Sequence, residues 1–213
     1  MAQVQPLAKS QSRKSRSTIL RVAEKLFAKQ GFQATTLRQI SAKSGANGAL
    51  VSYYFGGKEG LWDAVLDEKL DSLDELLAPP SKKAGPLSLK DVQELVRGLF
   101  AFVRNDQSFH LLAQRTLLEE PALKKRITAN LWHPFHDRLT ALVQRASGYR
   151  LSANEARLRA HVISGLVQKY GNLLCFYYDE LSVTQEPDEM LAQLEAYVIE
   201  GLLPEICSAH TRH

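Results

Sequence analysis

One stretch limits the fold more than any other: residues 35–61, TTLRQISAKSGANGALVSYYFGGKEGL. It supports two short helices set across a tight corner, followed by the start of a third. Thr36 is placed as an N-cap, its hydroxyl accepting from the unpaired amides of a first turn, and Leu37, Ile40 and Ala42 supply an inward face. Gly45 sits where the left-handed conformation closes a helix, and Asn47 is a cap for the next one. Residues 48–55 then make about two turns, with Leu50, Val51 and Phe55 inward and Gly48, Ser52, Tyr53 and Tyr54 on the remaining faces. Helix, glycine-containing corner, helix is the helix-turn-helix arrangement. Ala46, Asn47, Gly48 and Ala49 keep the leading end of its second helix thin, as entry into a DNA major groove requires.

Charge supports the same reading. Residues 1–58 carry ten lysines and arginines against one acid, Glu24, whereas residues 59–213 carry seventeen against twenty-two. A basic head on an acidic body suits a chain whose head meets phosphates and whose body does not. The two cysteines, Cys175 and Cys207, are too few for a disulfide framework and point to a reducing cytoplasm. No apolar run approaches the roughly 18 residues of a membrane span.

Taken in order, residues 1–14 read as a disordered basic arm bearing Lys9, Arg13 and Lys14, either lying against a minor groove or idle. A helix from Ser15 or Ser17 to Gln30 buries Ile19, Leu20, Ala23, Leu26 and Phe27, ends at Gly31, and is followed by Phe32 as a core plug. The helix starting at Lys58 has a buried stripe of Leu61, Trp62, Val65, Leu66, Leu70, Leu73 and Leu77 and the length of a connecting rod. The proline- and glycine-rich run 79–86 predicts a loop. Helices are expected over 88–104, with Val92, Leu95, Val96, Leu99, Phe100 and Val103 inward, and over 108–119 and 121–147, the last kinked at Pro134. Residues 153–181 form a helix apolar over a wide arc, whose remaining face carries His161, Ser164, Gln168, Asn172 and Cys175 instead of the charges of a solvated surface. Such a face fits a second subunit, with Gly165 and Gly171 allowing close approach, and a helix over 187–201 repeats the pattern.

Catalytic signatures are absent: there is no glycine-rich phosphate loop, GxSxG or HExxH. His133, His136 and Asp137 lie close together on one helical turn, but without a dense Cys and His cluster they read as core-edge residues, with no metal assigned. Lys169 is either a side chain that snorkels to water or the counter-ion of an acidic effector. Its companions in an effector site are His110, Gln114, Trp132, His133, His136, Tyr170 and Asn172. For DNA, Thr36 and Lys58 stand at helix starts suited to phosphates, and Asn47, Gly48, Ser52 and Tyr54 are candidates for base edges.

Thr36, Ile40, Gly45, Tyr53, Phe55, Lys58, Glu59 and Leu61 together resemble the N-terminal signature of the TetR family of transcriptional regulators, over about residues 15–62. The resemblance implies an all-α fold: a three-helix DNA-binding domain over 15–57 and a helical effector-binding and dimerisation domain over 58–213. It also implies that the Tyr53 hydroxyl reaches the DNA backbone. Ser52 and Tyr54 depart from the tyrosine and histidine frequent at those positions, which bears on operator sequence. The function implied is that of a cytoplasmic repressor without a cofactor, released from a palindromic operator by a small molecule. It would work as a homodimer through the helices 153–181 and 187–201. An effector-independent architectural protein on DNA is the alternative.

Overall fold

The computed structural model describes residues 4–82, 85–172 and 187–204, and every regular element among them is helical. In chain order these are α1 (Val4–Ala34), α2 (Leu37–Ser44), α3 (Gly48–Phe55), α4 (Lys58–Lys82), α5 (Leu89–Asn105), α6 (Gln107–Glu119) and α7 (Pro121–Ile127). A π-helical turn (Thr128–Trp132) leads into α8 (His133–Ala146), followed by α9 (Ala153–Asn172), α10 (Pro187–Ala196) and a second π-helical turn (Tyr197–Leu202). The fold is that of an N-terminal helix-turn-helix domain followed by a helical C-terminal domain. Two compact units are present: residues up to Asp71 with Ser108–Ile127, and Ser72–Gln107 with the residues from Thr128 on.

In the first unit α1 packs on α2 and α2 on α3, burying Ile19, Leu20, Phe27, Ile40 and Val51 completely or nearly so. Phe32 plugs this core as expected, its ring 5.5 Å from that of Phe27. The one acid of the basic head is interior: Glu24 on α1 pairs with Lys69 on α4 at 3.0 Å, their side chains only 8% and 14% exposed. All the other charges of residues 1–58 are cationic, so the head presents positive charge to its surroundings.

In the second unit α8 and α5 both pack on α9. Ser88 and Asp91 form a reciprocal cap at the start of α5, whose inward residues Val92, Leu95, Val96, Leu99, Phe100 and Val103 are all buried. The kink expected at Pro134 takes a definite form. Proline cannot donate to the carbonyl four residues back, and the turn just before it, Thr128–Trp132, widens to π geometry.

Four expectations need correction. The arm is not disordered from Val4 onward, because α1 begins there. Ser17 and Thr18 do not cap; their hydroxyls donate back to the Lys14 carbonyl, so the helix runs through them. Second, α4 extends to Lys82, through Pro79 and Pro80. The φ of proline is helix-compatible, and two prolines in the last turn remove only the helical bonds to the carbonyls of Glu75 and Leu76. Third, Ala42 is exposed and Leu37 half-buried, leaving Ile40 as the inward residue of α2. Fourth, on α9 Leu158 and Val162 are 66% and 44% exposed, while Ile163, Val167 and Tyr170 are buried. The expected continuation of this helix through Leu173, Leu174, Cys175, Tyr177 and Tyr178, and also Cys207, lies outside the described residues.

Because Lys69 is held close to a carboxylate in a poorly solvated place, Glu24→Ala is expected to lower unfolding free energy by about 3 kcal/mol in urea titrations. The apolar double variant Glu24→Leu/Lys69→Met should regain most of that loss. A single variant as stable as the wild type would show that the pair carries no such weight.

Candidate nucleic-acid interface

The corner is built by local hydrogen bonds that place α3. At its entry, the Thr36 hydroxyl accepts from the Gln39 amide at 3.2 Å while the Gln39 side-chain oxygen accepts from the Thr36 amide at 2.9 Å, a reciprocal capping box. Gln30 from α1 donates to the same Gln39 oxygen at 3.1 Å and to the Ala34 carbonyl at 3.0 Å. Gly45 closes α2 with φ of 70°, a conformation in which any Cβ would be strained. Asn47 then caps α3, its Oδ1 accepting from the Ala49 amide at 3.0 Å. Along α3, Val51 and Phe55 face the core; Gly48, Ala49, Ser52 and Tyr53 are exposed, and Tyr54 is half-buried.

Tyr53 is 82% exposed, with its ring 5.6 Å from that of Tyr54. Tyr54 in turn meets Phe55 edge-on at 6.0 Å, so its ring has a fixed neighbour on the core side. Arg16, on α1, places its guanidinium 5.4 Å from the Phe55 ring centroid, a cation–π contact that sets a positive charge beside the end of α3. Arg16 falls outside the apolar face of α1, where a phosphate backbone could run; the pattern of apolar positions did not single out Gln39, although Thr36 followed three residues on by Gln39 is a readable capping signature.

Lys58 has a second occupation. Its Nζ donates to the Phe32 carbonyl at 3.0 Å and the Gln33 carbonyl at 3.3 Å, and lies 4.4 Å from the Phe32 ring centroid. The ammonium therefore adds a second donor to the Phe32 carbonyl, which also accepts from the Thr35 amide at 3.2 Å, and ties the start of α4 to the entry of α2 past the break in α1 at Gly31. Gln33 and Arg115 add ties to the α6–α7 region within the same unit: Gln33 donates to Glu120 at 3.0 Å, and Arg115 to the Lys29 carbonyl at 2.9 Å. Arg126 of α7 pairs with Asp63 and Glu59 of α4 and lies over the Trp62 ring. Burial pushes the Asp63 carboxyl above its ordinary range, with Arg126 pulling the other way.

This geometry has known counterparts. The profile of the bacterial regulatory proteins of the tetR family matches residues 19–65, which span the capping box, the corner, α3 and the first turns of α4. Residues 19–65 thus carry the N-terminal signature of the tetR family. The HTH-type transcriptional repressor NicS of Pseudomonas putida is 34% identical over 93 residues, 44% of this chain and 42% of that protein. The HTH-type transcriptional dual regulator CecR of Shigella flexneri is 29% identical over 147 residues, 63% and 65% of the two chains. The alignments thus span less than two thirds of these relatives' lengths. Similarity of fold reaches further. A Clostridium perfringens putative fatty acid metabolism regulator superposes with a TM-score of 0.71 at 16% identity, over 86% of this chain and 97% of its own. Salmonella enterica GusR gives 0.67 at 19% identity, over 98% and 100%.

The candidate effector residues divide between the units. His110, buried, and Gln114, half-buried, belong to the first. In the second, Tyr170 is a core residue, its ring edge-on to Phe100 and its hydroxyl 3.4 Å from Arg104. Asn172 is half-buried and Lys169 is exposed. Trp132 and His136 come together at the π-helical turn, their ring centroids 6.2 Å apart, and His133 is exposed beside them. The Trp132 indole nitrogen is buried without a hydrogen-bond partner. Sequence reasoning left His161 out of the site, yet its ring stacks on that of His136.

If Lys58 holds the turn as the distances show, Lys58→Met should lower unfolding free energy by about 1 kcal/mol in the absence of DNA. Unchanged stability in a urea titration would mean that the side chain is free for phosphates alone.

Proposed function

We propose that this chain is a homodimeric, sequence-specific DNA-binding transcriptional regulator acting in the cytoplasm, a repressor that leaves a palindromic operator when a small molecule binds its C-terminal domain. The observation that carries the reading is the exposed edge of α3. Gly48, Ala49, Ser52 and Tyr53 project from a helix whose ends are capped and whose opposite side is core, on a head with nine positive charges in excess. Gly48, Ser52 and Tyr54 are assigned to base edges, with the side-chain amide of Asn47; Tyr53 and Thr36 are assigned to phosphates. Lys58 contributes charge at the start of α4 while holding the turn. NicS is named as a repressor, which favours that sign of regulation.

Dimerisation explains the surface of α9. Leu158, His161, Val162 and Gly165, all exposed, follow the i, i+3, i+4, i+7 spacing of a single helical face. An added Cβ at Gly165 would meet nothing within 4 Å. Two exposed aliphatic side chains beside a glycine with open space suit the close approach of an identical helix, because an isologous contact pairs the same patch on both copies. Two recognition helices would then face successive major grooves, roughly 34–36 Å apart. For the effector, the unsatisfied Trp132 indole N–H next to His136 is a donor awaiting an acceptor, which favours a ligand bearing a carbonyl or carboxylate.

Leu158→Glu places a charge on this face without touching the DNA-binding head. It is expected to convert the dimer to monomer in sedimentation velocity and to weaken binding to a palindromic duplex by roughly tenfold or more, since the second head then no longer binds in tandem. A variant that stays dimeric and binds as the wild type does would overturn the assignment of this interface.

A further inference from the structure

His136 and His161 form a contact that the reading above does not use. Their imidazoles lie face to face, 4.4 Å between centroids and 5° from parallel, one ring on α8 and the other on α9. The Nε2 of His136 is 2.8 Å from the hydroxyl of the buried Ser164, which also donates to the His161 carbonyl at 3.2 Å. His161 Nδ1 is 2.8 Å from the Arg157 carbonyl, and because a carbonyl only accepts, that nitrogen is the protonated one of the neutral ring. The far side of His161 belongs to the exposed strip of Leu158, Val162 and Gly165.

We infer that the His136–His161 stack is a proton-operated latch on the dimer, holding the α9 strip in its pairing shape when both rings are neutral and releasing it when the pair takes up a proton. The inference rests on the dimer assigned above.

Protonation acts against the stack in two ways. A charged His136 is poorly solvated where it sits, half-buried against the face of a second imidazole. A charge on each ring would place two cations face to face at van der Waals distance. The groups facing His136 are His161 across the stack and His133 and Asp137 on its own helix. The π-helical turn Thr128–Trp132 packed against α8 has no ionisable side chain. On α5, packed against both helices, Lys90 and Glu94 pair at the exposed start, Asp91 is in its capping box, Arg97 is exposed, and Arg104 lies on Tyr170 and Glu195. Among the described residues, Asp137 is the one acid acting on His136.

Burial first, and then His161, hold His136 below the ordinary imidazole value of 6.5. The sign follows from linkage. A base whose pKa is lowered while the rings are stacked stabilises the stacked shape in full above 6.5, and this is lost as pH falls through 6.5 toward the lowered value; a dimer that pairs only through that shape inherits the dependence.

The test is the dimer dissociation constant of the full chain by sedimentation equilibrium at pH 7.5, 6.5 and 5.5, for wild type and His161→Gln. In parallel, the His136 ring is titrated by NMR. The latch predicts a wild-type constant that rises about tenfold or more by pH 5.5, a rise of less than about threefold in His161→Gln, and a His136 midpoint below 6.5 that moves up in the variant. A dimer whose constant is independent of pH, or responds equally in both proteins, overturns the latch and leaves the dimer standing. A monomer at every pH overturns both. Should His161→Gln fail to fold, a wild-type His136 midpoint at or above 6.5 overturns the latch on its own.

Discussion

The head depends on a carboxylate in a place where water is scarce. Glu24 is the only acid among the first 58 residues, and it is turned inward onto Lys69 of α4. A charge so placed is stable only beside its partner, so α1 and α4 are held by a contact that is costly to break on one side alone. With its single acid consumed inside, the head faces outward with cations. Arg16 and Lys58 are then set by contacts with Phe55 and with the Phe32 and Gln33 carbonyls. The electrostatic character of the surface and the cohesion of the core share one origin.

Most of the head was legible in the sequence because its signals are local. An N-cap, a left-handed glycine and a second cap within twelve residues leave the chain few choices, and Thr36, Gly45 and Asn47 all stand in the roles their chemistry suggested. The occupation of Lys58 was not legible. Nothing within its own turn shows that Phe32 and Gln33, some twenty-five residues earlier, would leave carbonyls within its reach. Boundaries failed where a residue permits helix without favouring it. The prolines at the end of α4 and the serines Ser15 and Ser17 were read as punctuation, and the helices pass through them.

The body was legible as helices and less so as a site. Periodicity identified the inward face of α5 without error, since burial on one side is what produces such a pattern. It could not show that, on one helix apolar over a wide arc, Leu158 and Val162 belong to an exposed strip while Tyr170 belongs to the core. Nor could it place His161 against His136, because two rings from different helices meet only once the helices pack. The proline kink was predictable; that it would take the form of a π-helical turn leaving the Trp132 nitrogen unsatisfied was not.

The account turns on α3 as a reader of base edges, presented twice by a symmetric dimer. The direct measurement is selection of bound sequences from random duplex DNA by the purified protein, with affinity for the recovered site followed across a salt series. The account predicts a palindrome whose half-sites lie about one helical turn apart, bound with a steep loss of affinity as salt rises. Recovery of no shared sequence, with salt-sensitive binding retained, would contradict it and leave a protein that holds DNA without reading it.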